Sequence, residues 1–146
     1  MKSIDTILLK KNYVKIKLHK ITTNHLELKA KINGVSGKFI LDTGASNSCV
    51  GLDLATFFKL TIEDSETKAS GAGATGMETK LSKKNTLEID SWKTKKFHLV
   101  LFNLVHVNTA LQEHNAEKVH GIIGADILER GKAFIDHKSK VLYLRS

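Results

Sequence analysis

Two runs of strict alternation near the N-terminus constrain the fold more than any other feature of the chain. Val14, Ile16 and Leu18 alternate with Lys15, Lys17 and His19, and Leu26, Leu28, Ala30 and Ile32 alternate with Glu27, Lys29 and Lys31. A period of two sends the apolar set to one face of an extended strand and the charged set to the other, so both runs read as half-buried β-strands. Asn33-Gly34 separates the second run from the stretch at residues 38–41. Asn-Gly is the strongest short hairpin signal, because both residues accept the positive φ that a two-residue turn between twisted strands requires. The hairpin delivers the chain to Asp42.

After Asp42 the period changes. Leu52, Leu54, Ala55, Phe57 and Phe58 recur at helical spacing behind Gly51, which predicts a short helix. Residues 70–76 read Ser-Gly-Ala-Gly-Ala-Thr-Gly, the tip of a glycine-rich hairpin between two polar arms. Strands are expected at residues 87–89 and 97–105, the latter so continuously apolar that it should be buried on both faces. A polar loop or short helix follows at 108–118. Ile122-Ile123-Gly124 then opens a second short helix, Ala125–Arg130, closed by Gly131, and strands at 133–135 and Val141–Leu144 complete the chain. Ile40-Leu41 before Asp42 and Ile122-Ile123 before Gly124 are alike, which suggests two β-rich halves related by a pseudo-twofold axis.

At 146 residues the chain is expected to form one domain, 1–146, with its core over about 26–144. Its 23 basic residues exceed the 15 acidic ones by eight. The lysines are dispersed from Lys2 to Lys140, the arginines are only Arg130 and Arg145, and aromatic residues make up 6%. This argues against a nucleic-acid partner, which would want clustered cations and exposed stacking rings. There is no apolar run of about 18 residues to cross a membrane. Residues 1–11 carry only Ile7 to Leu9 as an apolar run, followed at once by Lys10 and Lys11, so no secretory leader is read there. With the lone Cys49, which reads as a small packed residue, a cytoplasmic location is expected. The seven histidines show no metal-ligand spacing, so neither metal nor other cofactor is expected.

The chemistry rests on Asp42-Thr43-Gly44, which puts a carboxylate at the exit of a buried strand. By itself the tripeptide is also an ordinary turn sequence. Its context is more specific: strand, Asp42-Thr43-Gly44-Ala45-Ser46, helix, glycine-rich hairpin from Gly71 to Gly76, then Ile122-Ile123-Gly124-Ala125-Asp126 with a helix. That order, over roughly residues 26–144, resembles the retropepsin-like aspartic peptidases.

The resemblance implies a mainly β fold, a single-lobe closed barrel with a glycine-rich flap hairpin and two short helices. It implies an aspartic endopeptidase acting as a homodimer on peptide or protein substrates. Asp42 of each subunit would share the work, one carboxylate taking a proton from water while the other protonates the scissile carbonyl oxygen. Thr43 inherits a hydrogen bond across the twofold axis, and Gly44 the close approach of the two loops. Gly71, Ala72 and Gly73 fall at the flap tip that covers substrate. The alternative is a non-catalytic peptide-binding module on the same fold. Asp126 and Asp136 stand outside any Asp-Thr/Ser-Gly context; Asp126 is expected to cap its helix or bond the Asp42 loop, and Asp136 to serve a turn. Ala45 withholds a hydroxyl from the carboxylate, which predicts activity nearer neutral pH. Ser46 and Ala125 stand where retroviral members pair an acid with an arginine, so a dimer here must be held differently.

Overall fold

The computed structural model describes residues 3–64 and 78–146. The chain begins with α1 (Ile4–Lys10), whose Ser3 hydroxyl accepts a hydrogen bond from Thr6 N–H, a capping interaction that starts the helix. Then come β1 (Val14–Lys17), β2 (His19–Lys20), β3 (Leu26–Ile32), β4 (Val35–Leu41), β5 (Cys49–Gly51), a 3-10 turn at Leu52–Leu54, and β6 (Glu63–Asp64). β7 (Thr79–Ile89), β8 (Trp92–Phe102), α2 (Val105–Glu113), β9 (Gly121–Ile123), α3 (Ala125–Arg130), β10 (Phe134–Asp136) and β11 (Val141–Leu144) follow.

Six of these strands close on themselves in the order β3-β4-β9-β5-β8-β7, with Lys31 opposite Glu88 and Ile32 opposite Leu87 sealing the ring. β4–β9 and β5–β8 run parallel and the other pairs antiparallel, so the fold is the closed barrel, with mixed strand directions, that the resemblance implies. Closure leaves no long unpaired edge in these strands. The alternation of the sequence becomes inside and outside here: Leu28, Ile32, Phe39, Leu87, Ile89, Leu99 and Leu101 fill the interior with Val50 and Ile123, while Lys29 and Lys31 face out.

The Asn33-Gly34 hairpin forms as expected, with Ile32 opposite Val35 and φ of 51° and 85° at the two turn residues. Asn33 has a second function that no local pattern reveals. Its side-chain oxygen accepts from Thr86 N–H, and its amide donates to Phe58 O and Asn85 Oδ1, tying the hairpin to the seam of the barrel.

Below the barrel lies a three-stranded antiparallel sheet, β1-β11-β10, that joins the two ends of the chain. α1 packs on it through Leu8, which clusters with Tyr13, Val141 and Tyr143. The Tyr143 hydroxyl donates to Asp5, which also pairs with Lys15 at 3.0 Å. Burial and that hydrogen bond push the Tyr143 phenol up to about 12.

The helices differ most from expectation. The segment after Gly51 is a 3-10 turn running into a single further turn, which closes when Lys59 takes φ 57° and the Leu60 and Lys59 amides donate to Ala55 and Thr56. Helical spacing there reflects burial of Phe58 rather than a sustained helix. α1 was not anticipated, and the short helix allowed for at 108–118 forms as α2 but begins earlier, at Val105, the last residue of the stretch read as strand, where Asn103 Oδ1 accepts from Val105 N–H. Gly131 closes α3 for a different reason from the expected one. Lys132 holds the left-handed position (φ 49°), whereas a Cβ on Gly131 would lie 2.6 Å from Leu144. Among the described residues no helix is long and apolar enough to cross a membrane.

Candidate active site

The two similar apolar pairs prove to be neighbours. β4 and β9 run side by side in parallel, with Ile40 opposite Ile122 and Leu41 opposite Ile123, so both chains leave the barrel at the same end. Asp42 N–H continues the ladder by donating to Ile123 O at 2.9 Å. The turn Asp42-Thr43-Gly44 then folds back, with Gly44 N–H donating to Asp42 Oδ1 at 2.8 Å and Ala45 N–H to Asp42 O at 3.2 Å. A short side chain that satisfies its own turn in this way is the reason aspartate suits the position. Asp42 is half-buried while Thr43 and Gly44 are exposed, so the carboxylate sits at the surface end of a buried strand.

The loop is held from beneath by the second turn. Ala125 N–H donates to Ala45 O at 2.7 Å, and a Cβ on Gly124 would lie 2.5 Å from that same oxygen, so the contact demands glycine. Gly124 has φ −112°, a conformation open to any residue, and the constraint is therefore space rather than torsion.

Ser48, fully buried, links the two turns. Its N–H donates to both Asp126 oxygens at 3.0 and 2.9 Å, its hydroxyl donates to Asp126 Oδ1 at 2.7 Å, and it accepts from Gly124 N–H at 2.8 Å. Asp126 Oδ1 also accepts from Ile127 N–H. Asp126 therefore bonds the loop that follows Asp42 and accepts an amide in the first turn of α3, although the helix has no side-chain cap, and both its oxygens have partners. Asp136 accepts from the Lys138 and Ser139 amides, the turn function expected of it. Cys49 is buried beside this network, and burial pushes its thiol up to about 12, so it is no nucleophile at ordinary pH.

Asp42 opens onto a cavity of about 770 Å³, and it is the one carboxylate among the described lining residues. Ile40, Ile122, Val107 and Leu111 form apolar walls, and His25, His106 and His114 stand among the remaining residues. The α2 side of this cavity was not foreseen: residues 108–118 read as a polar loop or short helix, with nothing local to place them beside Asp42. Gly71, Ala72 and Gly73, expected at a flap tip, lie outside the described residues. No three described His, Cys, Asp or Glu residues are grouped to hold a metal ion.

Comparison with known proteins gives concordant results. The model of the aspartyl protease family matches residues 28–127. No curated protein matches the sequence significantly. Among solved structures, a retropepsin-like aspartic protease from Rickettsia conorii superposes with a TM-score of 0.61 at 19% identity, covering 91% of each chain. The retroviral protease-like domain of Ddi1 from Leishmania major gives 0.56 at 19% identity, over 82% of this chain and 87% of the other. The EIAV protease bound to an inhibitor gives 0.55 at 20% identity, over 75% of this chain and 90% of the other.

Proposed function

The chain belongs to the aspartyl protease family, and on that premise we propose that it is an aspartic endopeptidase that works as a homodimer, with Asp42 from each copy forming the catalytic pair. The observation that carries this reading is the isolation of Asp42. Among the described residues its carboxylate makes one hydrogen bond, within its own turn, and it is the only described carboxylate on a cavity of about 770 Å³. Asp126, the other acid near the loop, is already bonded to Ser48 and Ile127. One chain therefore offers half of an acid pair, and a second copy supplies the other half.

In such a pair two close carboxylates share one proton, because like charges held together resist double ionisation. The ionised member takes a proton from a bound water as it attacks the peptide carbonyl carbon. The protonated member donates to the carbonyl oxygen, and the resulting tetrahedral species collapses with proton transfer to the leaving amine. Thr43 and Gly44, exposed on the same turn, are the groups proposed to meet their counterparts across the twofold axis. Gly71, Ala72 and Gly73 are proposed to close over the substrate. The chain is taken as one domain, and an extended peptide is taken as the substrate.

The test is digestion of an unfolded peptide mixture by the wild type and by Asp42→Asn, over a range of protein concentrations. Cleavage by the wild type alone, rising more steeply than linearly with concentration, is the expected result. Equal cleavage by both proteins overturns the assignment of Asp42. Peptide binding without cleavage by either points instead to a binding module on this fold.

A further inference from the structure

The cavity beside Asp42 has an asymmetry that bears on which peptides fit it. Ile40, Ile122 and Leu111 are 4%, 3% and 2% exposed, so its floor is apolar and firmly packed. Its upper edge carries three imidazoles on two elements: His25 on the turn before β3, and His106 and His114 at opposite ends of α2. All three side chains are exposed.

The two sides are tied together. The Thr22 hydroxyl donates to the His114 carbonyl at 2.7 Å across the cavity mouth, and the 21–25 turn is closed by Ile21 N–H to His25 O and Asn24 N–H to Ile21 O. His25 Nδ1 pairs with the Thr23 hydroxyl at 2.7 Å, and His114 Nδ1 donates to Ala110 O at 2.9 Å. These bonds orient both rings and leave Nε2 of each without a partner among the described residues. The imidazoles are not grouped for a metal ion, so they stand as separate polar contacts around an apolar floor.

We propose that this pocket selects an acidic side chain, and glutamate over aspartate, next to the bond that is cut. The inference rests on the peptidase reading and narrows its substrate class. A glutamate lays its methylenes on Ile40, Ile122 and Leu111 while its carboxylate reaches the imidazole edge, where a ring protonated on both nitrogens donates from Nε2 in a charge-assisted hydrogen bond. Asp42 lines the same cavity and repels any carboxylate held close to it. The longer side chain can carry its charge away from Asp42, and the shorter one cannot. A net charge of +8 also favours approach of acidic peptides.

The experiment uses matched peptides that differ only at one position flanking the cleaved bond, carrying Glu, Asp, Gln or Leu, all at about pH 5, where an ordinary imidazole is protonated and a glutamate ionised. Wild type is compared with the double variants His106→Gln/His114→Gln and His106→Lys/His114→Lys. The readout is the ratio of kcat/KM between Glu and Gln peptides within each protein, so a general loss of activity cancels. We expect about a tenfold preference for Glu in the wild type, near equality in the glutamine variant, and recovery in the lysine variant. A wild-type ratio of one or less, a ratio unchanged in the glutamine variant, or a preference for the Leu peptide overturns the proposal. Should no peptide be cut, the peptidase reading fails, and fluorescence anisotropy of the labelled peptides still decides the pocket. Tighter binding of Glu than Gln that the glutamine variant abolishes supports it, and equal binding overturns it.

Discussion

The turns that follow β4 and β9 share a sequence pattern and a place in the fold, yet their carboxylates have opposite fates. Each turn leaves one of two adjacent parallel strands after a pair of apolar residues. Asp42, at the first position, lines a cavity and makes one local hydrogen bond among the described residues. Asp126, three positions after Ile123, turns inward and takes up donors from Ser48 and Ile127. A carboxylate whose acceptor sites are filled is a structural strut, and one that is sparsely bonded at a cleft is available for proton transfer. Position along the turn thus separates the acid proposed for catalysis from the supporting one.

Substitutions can break this contrast in graded ways. The largest effect is expected from Asp42→Asn, which should lower peptide hydrolysis by about a thousandfold, near 4 kcal/mol in the barrier. Its unfolding free energy should stay within about 0.5 kcal/mol of wild type, since the neighbouring Gly44 amide keeps an acceptor. Parallel activity and denaturation measurements decide this, and a large stability loss would show that Asp42 is a strut as well. Gly124→Ala comes next. The methyl group must displace the Ala45 carbonyl, and a destabilisation of about 3 kcal/mol is expected in urea unfolding.

Asp126→Asn should cost about 2 kcal/mol, because an amide nitrogen cannot accept from the Ser48 N–H. It should weaken hydrolysis through loosening of the loop, and a variant as inactive as Asp42→Asn at full folding would erase the distinction between the two acids. Cys49, on the strand between the turns, should resist alkylation at pH 8 in the folded protein and react fully in denaturant, as its thiol sits near 12. Rapid native labelling would mean that β5 opens readily.

Asp5 serves as a control acid remote from both turns. The Lys15 hydrogen bond, and after it that of Tyr143, holds its carboxyl below the ordinary 3.8. Folding favours the ionised form, so its contribution is present above about pH 3.8 and lost as the pH falls through the lowered value. Amide exchange in α1, corrected for intrinsic rates, should quicken between pH 5 and pH 3 by a small factor and leave β9 unaffected.

The legible parts of the molecule were those with short-range causes. Alternation marked β1 and β3, and Asn33-Gly34 marked the turn into β4, because side-chain direction and permitted φ are local properties. The motif order likewise pointed to the fold and to Asp42. What stayed hidden depended on distant partners. α1 is too short to announce itself by period and is held by Tyr143 and Val141 from the other end of the chain. α2 was legible only in part: residues 108–118 read as loop or short helix, but its start at Val105, where the Asn103 side chain accepts from the first helical amide, fell at the end of the stretch read as strand.

Residue types and their local order thus determined that the chain forms β-hairpins, that one of them ends in Asp42-Thr43-Gly44, and that this acid is the candidate for catalysis. Only the tertiary structure decided that β4 and β9 lie side by side, that Ser48 and Asp126 clasp the loop between them, and that α2 brings His106 and His114 to the cavity that Asp42 faces. The physical reason is range. Torsional preference and hydrophobic period act over a few residues, whereas these contacts join positions about eighty residues apart and form only once barrel closure has offset the entropy of bringing them together.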